Sequence, residues 1–310
     1  MILSSLSKKE FAGHLRNEGL PLRTGPFVTC IRSPIRSVAD GIGRFYADYE
    51  VEAPSGFSDF HVRVAPPRGL RRWVRPQVRF AFDGRHPFTP LPLAHAYAIL
   101  EWGMNWCVSA HSNRYLIIHA AAVAKDERAF ILPAPPGSGK STLCAGLVSR
   151  GWRLLSDEMA LVATDSGALV PIPRPISLKN ESIDVMKRFA PGADIGHLAH
   201  DTIKGTVGHM KAPLDSVRRS NEKATPLFVI FPKFERDAPA TLSPHSKGRA
   251  FMELAKNAFN YSILGKLGFN LLGDVIDQCG CYDFRYGNLE EAITIFNELA
   301  RDATDSRDIA

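Results

Sequence analysis

The stretch FILPAPPGSGKST at residues 130–142 decides the fold, because an apolar run leads directly into a glycine-rich turn that ends in Lys-Ser-Thr. A strand followed by such a turn and a helix is typical of sites where backbone N–H groups bind a polyphosphate. Lys140 would reach the terminal phosphates, and the Ser141 hydroxyl would bind Mg²⁺. The residues expected to hold the nucleotide are Pro136, Gly137, Ser138, Gly139, Lys140, Ser141 and Thr142. We call residues 134–142 the glycine-rich turn.

One position departs from the pattern G-x-x-x-x-G-K-[ST], since Ala134 stands where the pattern has its first glycine. That position serves mainly the bend of the backbone, so the departure weakens the match only slightly. Pro135 and Pro136 precede the N–H donors and therefore remove none of them. The alternative is an ordinary glycine-rich helix start with a chance lysine.

The composition is that of an ordinary globular protein. Its 310 residues are 45% hydrophobic and 23% charged, enough to bury a substantial core in two domains or one large one. No apolar run approaches the roughly 20 residues that span a bilayer, so we expect a cytoplasmic protein without membrane contact. Five scattered cysteines favour free thiols. The net charge of +6 suits an anionic ligand or an acidic partner but identifies neither.

The first part of the chain, residues 1–112, predicts a smaller mixed β/α domain. Strand-like runs lie at 27–31, 60–65 and 78–82, and a helix-like run at 95–110 leads into the second part. The role of this domain is not evident from its residues, and binding of a substrate or partner is one option.

The second part, residues 113–302, is expected to be an α/β domain. Strands are predicted at 115–124, 129–134 and 152–162, and a helix at 141–150 follows the glycine-rich turn. Further strands and helices are predicted at 226–234, 249–259, 282–287 and 288–300. The remaining residues, 303–310, form a polar tail that is expected to fray.

Asp157 and Glu158 form an acidic pair behind the predicted helix. They lie sixteen and seventeen positions after Ser141, so the chain has only one helix in which to return to the sheet. We therefore expect the pair on a strand adjacent to the strand that precedes the glycine-rich turn. In a phosphoryl-transfer site one carboxylate can coordinate Mg²⁺ while another accepts the proton of an attacking hydroxyl. A solvated strand end is the alternative.

Three further residues are candidates for the same site. His119 lies in the middle of the apolar run LIIHAAAV, where a lone histidine is usually a core residue. Arg174 and Lys179 lie in the polar stretch PIPRPISLKN, and either could neutralise charge on a transferred phosphoryl group. A solvated loop is the alternative for both.

The stretch TIKGTVGHMK at 202–211 is basic and contains two glycines. It predicts a flexible lid or substrate loop that pivots at Gly205 and Gly208. Lys204, His209 and Lys211 are its candidate contacts with substrate or phosphate.

The order and spacing of these motifs resemble HPr kinase/phosphorylase, the bacterial enzyme that phosphorylates a serine of the carrier protein HPr. His119, APPGSGKS at 134–141 and RLLSDE at 153–158 keep that family's order over about residues 115–165. With RPISLKNESI and TIKGTVGH, the sequence is closer to the bacterial group called HprK-related kinase A, and more loosely it resembles the kinases that modify lasso-peptide precursors. The resemblance implies a P-loop, PEP-carboxykinase-like sheet with helices. The N-terminal half does not resemble that of HPr kinase.

The resemblance implies a role for each matching residue. Asp157 matches the general base, and His119 matches the histidine near that base. Glu158 matches the second acid, which is usually aspartate in HPr kinase. Lys140 and Ser141 match the phosphate-binding lysine and the Mg²⁺ ligand, so the expected metal ligands are Ser141, Glu158 and Asp157. The glycine-rich signature of the reverse, phosphate-releasing reaction is not recognisable in this sequence.

An arginine-rich stretch with Trp73 and Phe80 among its charges stands apart from these motifs. Such a mixture can bind nucleic acid through phosphate contacts and base stacking, although this is the least favoured interpretation. It can equally cover a sheet surface or meet an acidic peptide. The arginines are Arg63, Arg68, Arg71, Arg72, Arg75 and Arg79.

Three functions follow from these patterns. The first is a kinase that uses ATP and Mg²⁺ to phosphorylate a hydroxyl, with a serine of a small protein or peptide implied by the resemblance. The second is a P-loop ATPase whose acidic pair activates water. The third is a nucleotide-responsive binding module without turnover. HPr kinase relatives assemble into oligomers, so the resemblance also allows a homo-oligomer.

Overall fold

Strands and helices are interspersed along the whole chain in the computed structural model, which describes residues 1–305. The strands in chain order are β1 (Leu20–Thr24), β2 (Phe27–Arg32), β3 (Phe60–Ala65), β4 (Gln77–Phe82), β5 (Leu91–Pro92), β6 (Tyr115–Ile118), β7 (Ala120–Lys125), β8 (Arg128–Pro133), β9 (Arg153–Ser156), β10 (Ala160–Ala163), β11 (Leu169–Val170), β12 (Ile176–Lys179), β13 (Ile195–Thr202), β14 (Gly205–Met210), β15 (Thr225–Phe234), β16 (Thr241–Pro244) and β17 (Gly280–Tyr286). The helices are α1 (Lys8–Gly13), α2 (Arg36–Phe45), α3 (Ala96–His111), α4 (Lys140–Ser149), α5 (Glu181–Phe189), α6 (Leu214–Arg218), α7 (Lys247–Asn257), α8 (Tyr261–Leu264), α9 (Lys266–Gln278) and α10 (Leu289–Asp305). The protein is therefore a mixed α/β fold.

The first five strands form one sheet in the order β1-β2-β3-β4-β5. Side chains of β3 alternate between buried and exposed, as expected of a strand with one face in the core. Helix α3 packs on β3 and β4. The three strands and the helix predicted in this part are confirmed within one or two residues at each end.

A six-stranded sheet in the order β16-β17-β15-β8-β7-β9 carries the glycine-rich turn, which follows β8. Successive side chains of β8 point to opposite faces of the sheet, since Phe130 and Leu132 belong to one apolar cluster and Ile131 to another. Phe130 packs edge-on against Trp152 with ring centroids 4.8 Å apart. Both faces of β8 are thus buried, and its end is held rigidly.

The acidic pair does not follow a strand adjacent to β8, contrary to the sequence expectation. Asp126 and Glu127 both have positive φ and close a two-residue hairpin, which places β7 directly beside β8. Strand β15 takes the other side of β8, so β9 pairs with the far side of β7. Because β7 is antiparallel to both neighbours, β9 runs parallel to β8. The ends of β8 and β9 therefore still lie at the same edge of the sheet.

The strand predicted at 115–124 is interrupted at His119, and its halves join different sheets. Strand β6 pairs with β10 in a three-stranded sheet, whereas β7 belongs to the six-stranded one. The Asn260 side chain accepts the Ile117 N–H at 3.0 Å, and the His119 N–H donates to the Asn257 carbonyl at 2.8 Å. These contacts hold the bend between β6 and β7 against the segment around residues 257–260.

One apolar cluster includes residues from both predicted parts of the chain, such as Phe45 and Phe80 from the first and Phe130 and Phe296 from the second. The predicted domain boundary between residues 112 and 113 stays a prediction.

Helix α10 continues to Asp305, and residues 306–310 of the predicted tail lie outside the described residues. Within residues 1–305, no helix has the length and apolar character needed to cross a membrane.

We predict that Gly103→Ala lowers the free energy of unfolding by about 1–3 kcal/mol, because overpacking forces neighbours to shift. A Cβ on Gly103 would lie 2.1 Å from the Phe80 ring. Gly13→Ala is the matched control, since Gly13 is also helical and its Cβ would meet nothing within 4 Å. Urea unfolding of both variants measures the difference, and equal stability would contradict the packing of α3 on β4.

Candidate functional site

Strands β15 and β17 of the six-stranded sheet hold the glycine-rich turn through hydrogen bonds and packing. Gly137 and Gly139 have φ of 86° and 85°, values that favour glycine. A Cβ on Gly139 would lie 2.5 Å from the Tyr286 hydroxyl oxygen, which itself donates to the Gly139 carbonyl at 3.0 Å. The Phe234 N–H donates to the Ser138 carbonyl at 2.8 Å. The conformation of the turn is therefore set by packing as well as by its own sequence.

The turn and the first turn of α4 present several free backbone donors. Among residues 137–142 of the described structure, only the Ser138 N–H has a protein acceptor, the Pro135 carbonyl at 3.3 Å. These donors, together with the positive end of the helix dipole, can bind an anion such as phosphate. The free N–H groups belong to Gly137, Gly139, Lys140, Ser141 and Thr142.

Lys140 connects this turn to the acidic pair. Its side chain is largely buried, with the residue 8% exposed, and Nζ donates to the backbone carbonyl of Asp157 at 3.2 Å. The contact is possible because β8 and β9 end at the same edge of the sheet. The structure thus brings together the lysine and the aspartate that the sequence nominated.

Asp157 is 6% exposed, and its two carboxylate oxygens differ. Oδ2 accepts the Ser177 N–H at 3.1 Å, whereas Oδ1 has no hydrogen-bond partner among residues 1–305. Burial raises the pKa of Asp157, and the nearby Lys140 charge and Ser141 hydroxyl only partly oppose this. A carboxylate in this environment accepts a proton more readily than an exposed one.

Glu158 has the opposite pKa shift. Burial alone would raise its pKa, but the positive charges of Lys140, Lys179 and Lys204 lower it below the usual value. The Asn105 amide donates to its Oε2 at 2.5 Å. The adjacent carboxyls therefore differ in chemistry, Asp157 suited to take up a proton and Glu158 to remain charged.

The acidic pair with Ser141 fits Mg²⁺ only in combination with a phosphate ligand. Within the described residues, no group of three or more His, Cys, Asp and Glu side chains could hold a metal alone. Mg²⁺ is usually bound by one or two carboxylates together with water and substrate phosphates. The free N–H groups beside the acids provide the place for those phosphates. The residues present thus fit a metal–nucleotide complex.

His119 lies in the bend between β6 and β7, with its ring 5.7 Å from that of Phe259. Burial lowers its pKa, and the Lys140 charge lowers it further. No hydrogen bond joins its side chain to Asp157 in residues 1–305. Its role beside the base stays a prediction.

The segment predicted as a flexible loop is a β-hairpin made of β13 and β14. Gly208 lies within β14, where a Cβ would come 2.7 Å from Leu198, so it is a paired strand residue and not part of a loop. Gly205, at the start of β14, has a φ of 80°, a value that favours glycine. Lys204, the preceding residue, places Nζ 5.3 Å from the Trp102 ring centroid. Partial burial and the Lys179 charge lower the pKa of Lys204.

Arg174 is buried in a network that links the two parts of the chain. It forms an ion pair of 2.5 Å with Glu101 and also donates to the Tyr46 hydroxyl and to the Asn105 side-chain oxygen. Burial alone would lower the pKa of Arg174, but Tyr46 and Glu101 raise it. These partners already engage the guanidinium of Arg174. Its contact with phosphate stays a prediction. Sequence reasoning missed Glu101 and Asn105, although two polar residues four apart in an apolar helix were a signal.

The remaining candidates lie in different surroundings. Lys211 pairs with Asp48 at 2.7 Å and lines a separate surface groove. His209 is 1% exposed, and burial lowers its pKa to about 4. Neither contacts the glycine-rich turn through a hydrogen bond in residues 1–305.

The arginine-rich stretch divides between the core and the surface. Phe80 is fully buried, so it cannot stack on a base. Trp73 is 76% exposed and lies under the Arg72 guanidinium at 5.3 Å. Binding of a peptide or nucleic acid by this surface stays a prediction.

We predict that Glu101→Gln lowers the free energy of unfolding by about 3 kcal/mol, because it leaves the Arg174 charge buried without its counterion. Glu52→Gln is the matched control, since Glu52 pairs with Arg23 at 2.7 Å where both side chains are partly exposed. That control should lose less than about 1 kcal/mol. Chemical unfolding of both variants compares them, and similar losses would contradict a structural role of the buried pair.

We predict that Asp157→Asn raises stability at neutral pH. A carboxyl whose pKa is raised on folding stabilises the protein only while protonated, so its contribution falls as pH rises through the folded pKa. The gain from Asp157→Asn should therefore be present at pH 7 and vanish below the unfolded-state pKa of about 4. Thermal unfolding of variant and parent across pH measures it. A gain that is independent of pH would show that the charge of Asp157 is not its cause.

Comparison with known proteins finds no family model that matches the chain and no curated protein that matches it.

Proposed function

We propose that this protein is an ATP- and Mg²⁺-dependent kinase with an HPr-kinase-like P-loop arrangement. The observation that carries the proposal is the contact of Lys140 with the end of β9, which sets a buried carboxylate beside a row of free N–H groups. The sequence resemblance to HprK-related kinase A supports the same interpretation.

The free N–H groups and Lys140 would bind the β- and γ-phosphates of ATP. Ser141, Glu158 and Asp157 would hold Mg²⁺ together with the phosphates. When bound, the metal would neutralise charge that develops on the transferred phosphoryl group. Lys179 and Lys204, whose charges act on Glu158, would add to that neutralisation.

Asp157 would accept the proton of the acceptor hydroxyl as that oxygen attacks the γ-phosphorus, while the bond from the γ-phosphorus to the β–γ bridging oxygen breaks and ADP leaves. Its raised pKa favours this role, because a base works best when its pKa approaches the working pH. Glu158 would stay ionised and therefore suit the metal. The proposed acceptor is a serine of a small protein or peptide, which rests on the sequence resemblance.

We predict that Asp157→Asn lowers phosphate transfer by about 10²–10⁴-fold while ATP affinity changes little, because general base catalysis contributes about that factor. Lys140→Met should instead weaken ATP binding. Lys125→Met is the matched control, since Lys125 lies at the opposite end of the β7–β8 hairpin. Calorimetry with ATP measures affinity, and γ-labelled ATP with small proteins encoded by neighbouring genes measures transfer.

The same assay separates the kinase from an ATPase. Label that appears only as free phosphate, at a rate unaffected by acceptors and lost in Glu158→Gln, would exclude the kinase. Binding of ATP without any turnover would instead indicate a nucleotide-responsive module.

A further inference from the structure

A small cavity lies next to Asp157, between α3 and the paired strands β12 and β14. Its lining includes Trp102, Asp157, Ser177 and His209. It has room for about one water molecule. The cavity is separate from the free N–H groups of the glycine-rich turn, whose residues do not line it.

Four of the lining residues have buried polar atoms that lack a hydrogen-bond partner in residues 1–305. They are Trp102 Nε1, Asp157 Oδ1, Ser177 Oγ and both ring nitrogens of His209. Ser177 is 8% exposed and His209 is 1% exposed, so bulk water does not satisfy them. Buried polar groups are nearly always hydrogen-bonded, and each one left unpaired costs about 1–3 kcal/mol. Several such atoms around one cavity indicate a shared ligand.

The strand register directs two of these groups to the same place. Ser177 and His209 are directly opposite partners in the antiparallel pair β12–β14, so their side chains share one face. The Ser177 N–H holds Asp157 Oδ2, which brings the same carboxylate next to that face.

The charges around the cavity favour a neutral ligand. Arg174 lines the cavity and opposes a cation, whereas Asp157 and Glu158 line it and oppose an anion. Water can accept from the indole N–H or the serine hydroxyl and donate to the carboxylate and to an imidazole nitrogen.

We propose that one buried water bridges Asp157 Oδ1 to Ser177 and His209, and that these two residues position the carboxylate of Asp157 through it. The catalytic consequence rests on the proposed function, in which Asp157 is the base. His209 remains neutral because burial lowers its pKa to about 4, so it offers one donor and one acceptor and does not store the proton. Ser177 and His209 are therefore positioning residues.

A crystal structure of the full chain at high resolution tests the water directly. The expected result is an ordered water within about 3.2 Å of Asp157 Oδ1 and of Ser177 Oγ or a His209 nitrogen. A cavity without density, or an Asp157 Oδ1 bonded to another protein group, would overturn the proposal. This test needs neither ATP nor an acceptor.

Two variants of His209 test its positioning role on the active enzyme. His209→Phe removes both ring nitrogens and should lower kcat about tenfold with an unchanged KM for ATP, because the bridging water loses a hydrogen bond that holds it beside Asp157. His209→Gln keeps a donor and an acceptor and should restore most of kcat. Thermal unfolding confirms that both variants fold. Equal kcat in the two variants would overturn the positioning role.

The outcomes distinguish this proposal from the proposed function. An active kinase with a dry cavity refutes the water alone. An ordered water in a protein that transfers no phosphate refutes the kinase alone.

Discussion

The buried ion pair of Arg174 and Glu101 is the interaction on which the site depends. Two charges removed from water are tolerated only when their remaining hydrogen-bonding groups are also satisfied. Tyr46 and Asn105 supply those bonds, and both come from the first 112 residues. Asn105 then donates to Glu158. The position of one acidic side chain is therefore fixed by a helix that lies more than fifty residues earlier in the chain.

Asp157 and Glu158 are adjacent in sequence, but their pKa values are shifted in opposite directions. Asp157 has one oxygen bound to a backbone N–H and the other without a partner among the described residues, and burial dominates its pKa. Glu158 faces three lysines whose charges outweigh the same burial. Neighbouring carboxyls with pKa values shifted in opposite directions are a common way to separate a proton acceptor from a metal ligand.

Local sequence was sufficient for the parts of the site that local conformation determines. The glycine spacing, Lys140 after β8 and the return of the chain at Asp157 all followed from patterns within about thirty residues. The position of β7 depended on a two-residue hairpin, and the break at His119 depended on Asn260, which lies far along the chain. A polar pair in α3 could be recognised as unusual, but its partner Arg174 could not be identified without the packing.

Tyr286 reaches back across 147 residues to hold the carbonyl of Gly139, and the turn also takes a bond from Phe234. A ribosome makes these anchors long after the turn itself. The nascent chain consequently carries residues 134–142 without their supports until β15 and β17 have joined the sheet. Formation of the supported turn is thus coupled to assembly of the six-stranded sheet and not to folding of its own segment alone.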